Sequence, residues 1–223
     1  MINQFKNRST LKHYSRILFV GVHPDDVEFL AGGTVAKCHD LGKKSSEIIL
    51  TDGRKGFLSG LSQKQLAKKR MGEARKGARI LGIGKVIFLN FRFTEGNIVC
   101  NNSNVRYLSQ QIKNLNPDVV FCPAYKHTID FWNKDHKIGG RIVEKVCEKI
   151  AKPLFFYGTF KPTILERINL SQTRRAERAI RCHESQMQIF GKTYLALRKM
   201  LGKCFGHKIS SYFAEPFEKA KEL

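Results

Sequence analysis

Five apolar runs of strand length recur along the chain, at residues 17–22, 48–50, 86–89, 119–122 and 154–157, with longer amphipathic stretches between them. After the first run, Val27, Leu30, Ala31, Val35 and Cys38 fall near helical spacing and the stretch ends at Gly42. Helices are likewise expected over 62–81, ahead of residue 115, and over 136–151. Strands joined by helices of this length form parallel βαβ units, whose crossovers are right-handed almost without exception. The alternation therefore predicts an α/β protein, a Rossmann-like three-layer fold with a mostly parallel sheet. In the last third the pattern loosens. Residues 164–168 read as an added strand, 171–201 as a long helix broken at Gly191, and 209–213 as a last short strand. No low-complexity linker sets them apart, so a C-terminal elaboration of one domain, 1–223, is expected, with residues 1–15 as a basic N-terminal extension.

Residues 17–22 are too short for a signal-peptide core, and no run is long enough to cross a membrane. The six cysteines lie far apart with no CxxC pair, which excludes a zinc ribbon or a thioredoxin motif. A reduced, cytoplasmic protein is expected.

Open parallel sheets gather function outside the carboxyl ends of their strands. Three polar clusters fall at such ends: His23-Pro24-Asp25-Asp26, Thr51-Asp52-Gly53-Arg54, and Asn133-Lys134-Asp135-His136. A dinucleotide site would need GxGxxG between the first strand and its helix, and HPDD stands there instead. Gly82-Ile-Gly84 follows a helix and reads as a C-cap and turn. No Walker lysine motif is present.

His23, Asp25 and Asp26 put an imidazole and two carboxylates within four residues at a strand-to-helix turn. Zinc accepts nitrogen and carboxylate ligands, with three protein groups and an open position in catalytic sites. His23 and Asp26 would supply two ligands and His136 the third, leaving Asp25 to act on water as general base. The competing reading is plain helix capping, by Asp25 or Asp26 before Val27 and by His136 as a lone histidine at the start of a later helix. Asp135 is placed to orient a neighbouring group.

Taken in order, His23-Pro-Asp-Asp26, Thr51-x-Gly53, Arg70-x-x-Glu73, Asn116-Pro-Asp-Val-Val-Phe121 and Asp135-His136 resemble the LmbE/PIG-L-like metal-dependent N-deacetylases. His183-x-Ser185-Gln186 and Ala214-Glu215-Pro216-Phe217 look like that family's C-terminal signatures, so the resemblance covers nearly the whole chain. It implies a Rossmann-like fold and zinc-dependent removal of an acyl group, usually acetyl, from the nitrogen of an amino sugar. By the same resemblance His23, Asp26 and His136 are metal ligands, Asp25 is the general base and Arg70 contacts substrate. The family commonly reads His-x-Asp-His at the third cluster, and here Asn133 replaces the first histidine, which assists catalysis or contacts substrate. A catalytically degenerate member is the alternative this leaves.

His127, in the same loop, is one candidate to replace the missing imidazole; an exposed loop histidine is the plainer reading. Trp132 and Tyr125 could stack on a sugar or anchor the loop. Arg54 could meet a phosphate or be merely solvated. The His183–Gln186 segment, read as mid-helix, suits packing and hydrogen bonding. Forty basic against nineteen acidic residues give a net charge of +21. That charge suits a nucleic-acid-binding module, but charged and apolar residues interleave at helical spacing, as on solvated helix faces. An anionic small substrate, or peripheral contact with an anionic surface carrying one, accounts for it better.

Overall fold

The computed structural model describes residues 10–56, 60–90, 92–130 and 132–220. In chain order it contains β1 (Arg16–Gly21), α1 (Asp26–Asp40), β2 (Lys44–Ile49), α2 (Gln63–Leu81), β3 (Lys85–Phe88), α3 (Asn102–Leu115) and β4 (Val119–Pro123). There follow α4 (Lys134–Ile150), β5 (Leu154–Tyr157), β6 (Ile164–Ile168), α5 (Leu170–Arg181), α6 (Glu184–His207) and β7 (Phe213–Lys219). The strands form one sheet in the order β3-β2-β1-β4-β5-β7-β6. The first five are parallel, and β7 pairs antiparallel with both β5 and β6.

Side-chain alternation along the strands builds three layers. Leu18 and Val20 of β1 join Val120 and Cys122 of β4 in one core, under Leu108 and Ile112 of α3 and Ile142 and Val146 of α4. Ile17 and Phe19 join Val119 and Phe121 in the other core, under α1, Ala78 of α2 and Ala176 of α5. Both faces of the sheet are therefore covered, which is why its strands read as near-continuous apolar runs. The chain order reverses between β1 and β4, so the crevice at their carboxyl ends is the fold's switch point.

Three local expectations differ from the structure. The strand expected at 48–50 begins at Lys44 and takes in Ser45, Ser46 and a fully buried Glu47, polar residues that gave no apolar signal. The long C-terminal helix breaks at Cys182–His183 rather than at Gly191, which lies within α6. The cause is tertiary: Glu73 of α2 accepts from Ser185 N at 3.0 Å and Ser185 Oγ at 2.6 Å, satisfying the start of α6. The last strand is Phe213–Lys219, and residue 209 lies in the turn that follows α6. Pro216 is tolerated inside that strand because only residues 217–219 pair with β5.

A buried carboxylate ties this C-terminal elaboration to α1. Glu215 accepts from Gly33 N, Thr34 N and Thr34 Oγ1 at 2.7–2.8 Å and pairs with Arg198 Nη2 at 2.7 Å. Of the basic stretch 1–15, residues 1–9 lie outside the described residues, and Thr10–His13 form a 3-10 turn with Leu11 fully buried.

Candidate active site

The HPDD cluster leaves the end of β1 and the Asn133–His136 cluster follows β4, so the switch point brings them together. At its bottom lie His23, Asp26 and His136, all nearly buried. His23 Nδ1 is 3.2 Å from His136 Nε2, and that nitrogen is 3.1 Å from Asp26 Oδ1. The three prospective ligand atoms all lie within 4.8 Å of one another. Ligands about 2.0–2.2 Å from a tetrahedral zinc ion stand roughly 3.3–3.6 Å apart, close to the two separations centred on His136 Nε2, and two imidazoles with one carboxylate are donors such an ion accepts. Close approach of α4 to the end of β1 depends on Gly139, where a Cβ would fall 2.6 Å from Val22 Cγ2.

Capping does not explain the two aspartates. Asp25 occupies the N-cap position of α1 but makes no capping hydrogen bond. Its φ of 141° is unusual for a residue with a side chain, a strained conformation of the kind found at functional sites. Asp26 Oδ2 turns back to accept from Val22 N at 2.8 Å and His23 N at 3.0 Å, which leaves Oδ1 for His136.

Carboxylates orient both imidazoles. Asp135 Oδ2 lies 3.3 Å from His23 Nε2 and accepts from Gly96 N at 2.6 Å. Asp130 Oδ2 lies 2.9 Å from His136 Nδ1. Each ring is thus held on one nitrogen, and the other nitrogen faces the cluster. Burial alone would lower the pKa of His136, but the Asp26 charge and hydrogen bonds to Asp130 and Asp26 raise it to about 10. The Asp26 carboxyl, which burial would raise, is held well below its ordinary range by His136 and His23.

Asp25 lines a cavity of about 380 Å³ together with Asp26, Asp130, Asn133, His136 and His183. Burial raises its pKa, against the pull of Arg70. Arg70, itself buried, donates to Asp25 Oδ2 and to the carbonyls of Pro24 and Gly53, each at 3.1 Å. Of the family-type residues, Asn133 caps α4, accepting from Asp135 N at 3.1 Å and His136 N at 3.3 Å, while also lining the cavity. Trp132 lines it too and is 70% exposed, so it does not anchor the loop in the core.

Two sequence candidates lie elsewhere. Arg54 is forked onto Asp52, at 3.0 Å and 2.6 Å, beside a separate recess with Gln63 and Lys64. His127 pairs with Glu218 at 2.9 Å and is not among the described residues lining the cavity. Sequence reasoning missed Asp130, which nothing but its place in the loop after β4 marks out. It also missed the position of His183, because the helix break that brings this residue to the cavity was not expected there.

Fold and cluster together define a three-layer α/β protein with two histidines and a carboxylate gathered at the switch point. The family model for PIG-L, described as GlcNAc-PI de-N-acetylase, matches residues 18–147, and the chain belongs to that family. It is 26% identical to the diacetylchitobiose deacetylase of Thermococcus kodakarensis, over 92% of this chain and 84% of that protein. The solved N,N'-diacetylchitobiose deacetylase of Pyrococcus horikoshii, in complex with an inhibitor, superposes with a TM-score of 0.87 at 24% identity, covering 97% of this chain and 87% of that one. GalB, the 4-carboxy-2-hydroxymuconate hydratase of Pseudomonas putida, shares the architecture at a TM-score of 0.78 and 18% identity, covering 94% of this chain and 97% of that one. The fold by itself therefore does not fix the reaction.

Proposed function

We propose that this chain is a zinc-dependent N-deacetylase that hydrolyses the acetamide of an N-acetylated amino sugar or sugar conjugate. The observation that carries the reading is Asp25, an unligated carboxylate beside the three prospective ligands and fixed by Arg70. Two imidazoles and one carboxylate are a donor set zinc accepts, and the chemistry such an ion supplies when bound is a more acidic water and a polarised amide carbonyl. His23, Asp26 and His136 would hold it, with Asp135 and Asp130 fixing the two rings.

Asp25 takes the proton of the attacking water. Its raised pKa suits a base that must hold that proton until the C–N bond breaks. Arg70 keeps the carboxylate aimed into the cavity. Asn133 lends its backbone-capping contact to α4 and an amide to the cavity wall, where it can hydrogen-bond substrate. The relative that acts on diacetylchitobiose supports an acetamido sugar as the substrate class. The net charge of +21 supports an anionic form of it, nucleotide-, phosphate- or lipid-linked, met in the cytoplasm or at an anionic surface. No helix among the described residues is long and apolar enough to cross a membrane.

The test is a screen of the zinc-reconstituted protein over free, nucleotide-linked, phosphorylated and lipid-linked N-acetyl amino sugars, reading acetate release. Release from one class, lost on chelation and restored by zinc, is expected. A silent panel with zinc stoichiometrically bound would overturn the activity, and preference for a neutral free monosaccharide would overturn the anionic substrate.

A further inference from the structure

Cleaving an amide needs a proton on the departing nitrogen, and the residue in the family's first-histidine position is Asn133, whose amide is far too weak an acid to give one. Among the described residues lining the cavity, the ionisable side chains are Asp25, Asp26, Asp130, His136 and His183. Asp26 and His136 are prospective ligands, and Asp130 is engaged on His136 Nδ1. Asp25 is the base. His183 is the group left over.

Its surroundings are unusual for a packing residue. His183 is 2% exposed, yet neither ring nitrogen makes a hydrogen bond. It occupies the N-cap position of α6 without capping it. Nε2 lies 3.5 Å from Glu28 Oε1, an ion-pair distance inside the protein. Glu28 is fully buried and neither carboxylate oxygen is hydrogen-bonded. Room for it is built into α2, where a Cβ on Gly77 would fall 2.7 Å from Glu28 Oε1. A buried carboxylate without hydrogen bonds is costly, and a cationic imidazole beside it offsets that cost. Burial disfavours charge on the ring, but Glu28 from α1, Asp25 from the β1–α1 turn and Glu73 from α2 together hold its pKa above the ordinary histidine value.

We propose that His183 is the general acid of this site, donating a proton to the leaving amine, with Glu28 as the positioning residue behind it. The inference rests on the deacetylase reading above. Water adds its oxygen to the carbonyl carbon while its proton passes to Asp25. As the tetrahedral intermediate collapses, the electron pair of the C–N bond goes to nitrogen and the His183 proton joins it, giving the free amine and acetic acid. One proton transfer from Asp25 to His183, directly or through solvent, restores both groups.

The experiment compares the zinc-loaded wild type with His183→Gln and Glu28→Gln on whichever substrate the screen identifies, measuring kcat, KM and their pH profiles, with bound zinc and melting temperature as controls. For His183→Gln, kcat is expected to fall about 10²–10⁴-fold, the span typical of general acid catalysis, with KM within threefold and zinc stoichiometry intact. The basic limb of the wild-type profile should vanish in that variant. In Glu28→Gln the limb should move to lower pH, because the acid has lost its counter-charge. Imidazole added to His183→Ala should restore part of the turnover. A basic limb that stays in place in both Gln variants, or a His183→Gln kcat within threefold of wild type, overturns the assignment. If His183→Gln fails to fold, the Glu28→Gln limb decides alone. A wild type that releases no acetate from any substrate defeats the deacetylase reading, and this inference falls with it.

Discussion

Asp130 Oδ2 lies 2.9 Å from Nδ1 of His136, so the ring presents Nε2 to Asp26 and to His23. Carboxylates placed behind a ligating histidine fix its tautomer and raise its basicity, and losing one typically weakens metal binding 10–100-fold. Asp130→Ala is therefore expected to weaken zinc binding by about that factor while leaving the fold intact, as read by competition against a chelator. Affinity equal to wild type would remove Asp130 from the site.

Separating the proposed base from the proposed ligands needs two substitutions. Asp25→Asn keeps the Arg70 contact within reach of an amide oxygen and takes nothing from the prospective ligand set, so one zinc per chain should remain. Turnover should drop at least about 10²-fold, the low end for a lost general base. His136→Ala should lose zinc and turnover together. Parental activity in Asp25→Asn would place the base elsewhere.

Metal binding should depend on pH in a stated direction. In the metal-free chain burial disfavours the His136 cation, yet Asp26 and Asp130 raise its pKa from 6.5 to about 10. The ring is therefore protonated at neutral pH and must release that proton to bind zinc through Nε2. Apparent affinity should climb with pH across the range up to about 10, by as much as tenfold per unit from this proton. Calorimetry in buffers of different ionisation enthalpy should show proton release on binding. For the metal-free fold the sign is opposite. A raised folded-state pKa contributes stability that is complete below about 6.5 and is lost as pH rises through about 10. Its melting temperature should fall over that window and that of His136→Gln should fall less; parallel curves would show that the ring's charge does not matter to folding.

The legible part of this molecule was what period and order carry. The five parallel strands could be read because a sheet covered on both faces needs apolar residues on both sides of each strand, and His23, Asp26 and His136 converged because two of the clusters flank the β1–β4 switch point. What escaped notice depended on contacts between distant segments. Glu47 on β2 looks like a loop residue, yet it is fully buried beside Glu28 and Asp26 of α1. The break before α6 is made by Glu73, 112 residues upstream of Ser185, and local propensity cannot register such a cap. Asp130 and His183 took their places by the same kind of contact. His127 and Arg54 show the converse: each had suitable chemistry in a suitable loop, and each was claimed by a nearer acid, Glu218 and Asp52.

The C-terminal elaboration is held to α1 by one buried carboxylate. Glu215 accepts three hydrogen bonds from Gly33 and Thr34 of α1 and pairs with Arg198, and both side chains of the pair are 4% exposed. Removing one member of a buried pair strands the other charge, which costs about 3–5 kcal/mol. Glu215→Ala also removes three hydrogen bonds to α1, so a fall in melting temperature of roughly 10 °C or more is expected at this chain length. Arg198→Met alone should also destabilise, and the double variant Glu215→Ala/Arg198→Met should lose less than the sum, because the stranded guanidinium is gone. Strict additivity in that cycle would mean that the two side chains do not interact and that the hydrogen bonds to α1 alone hold β7 in place.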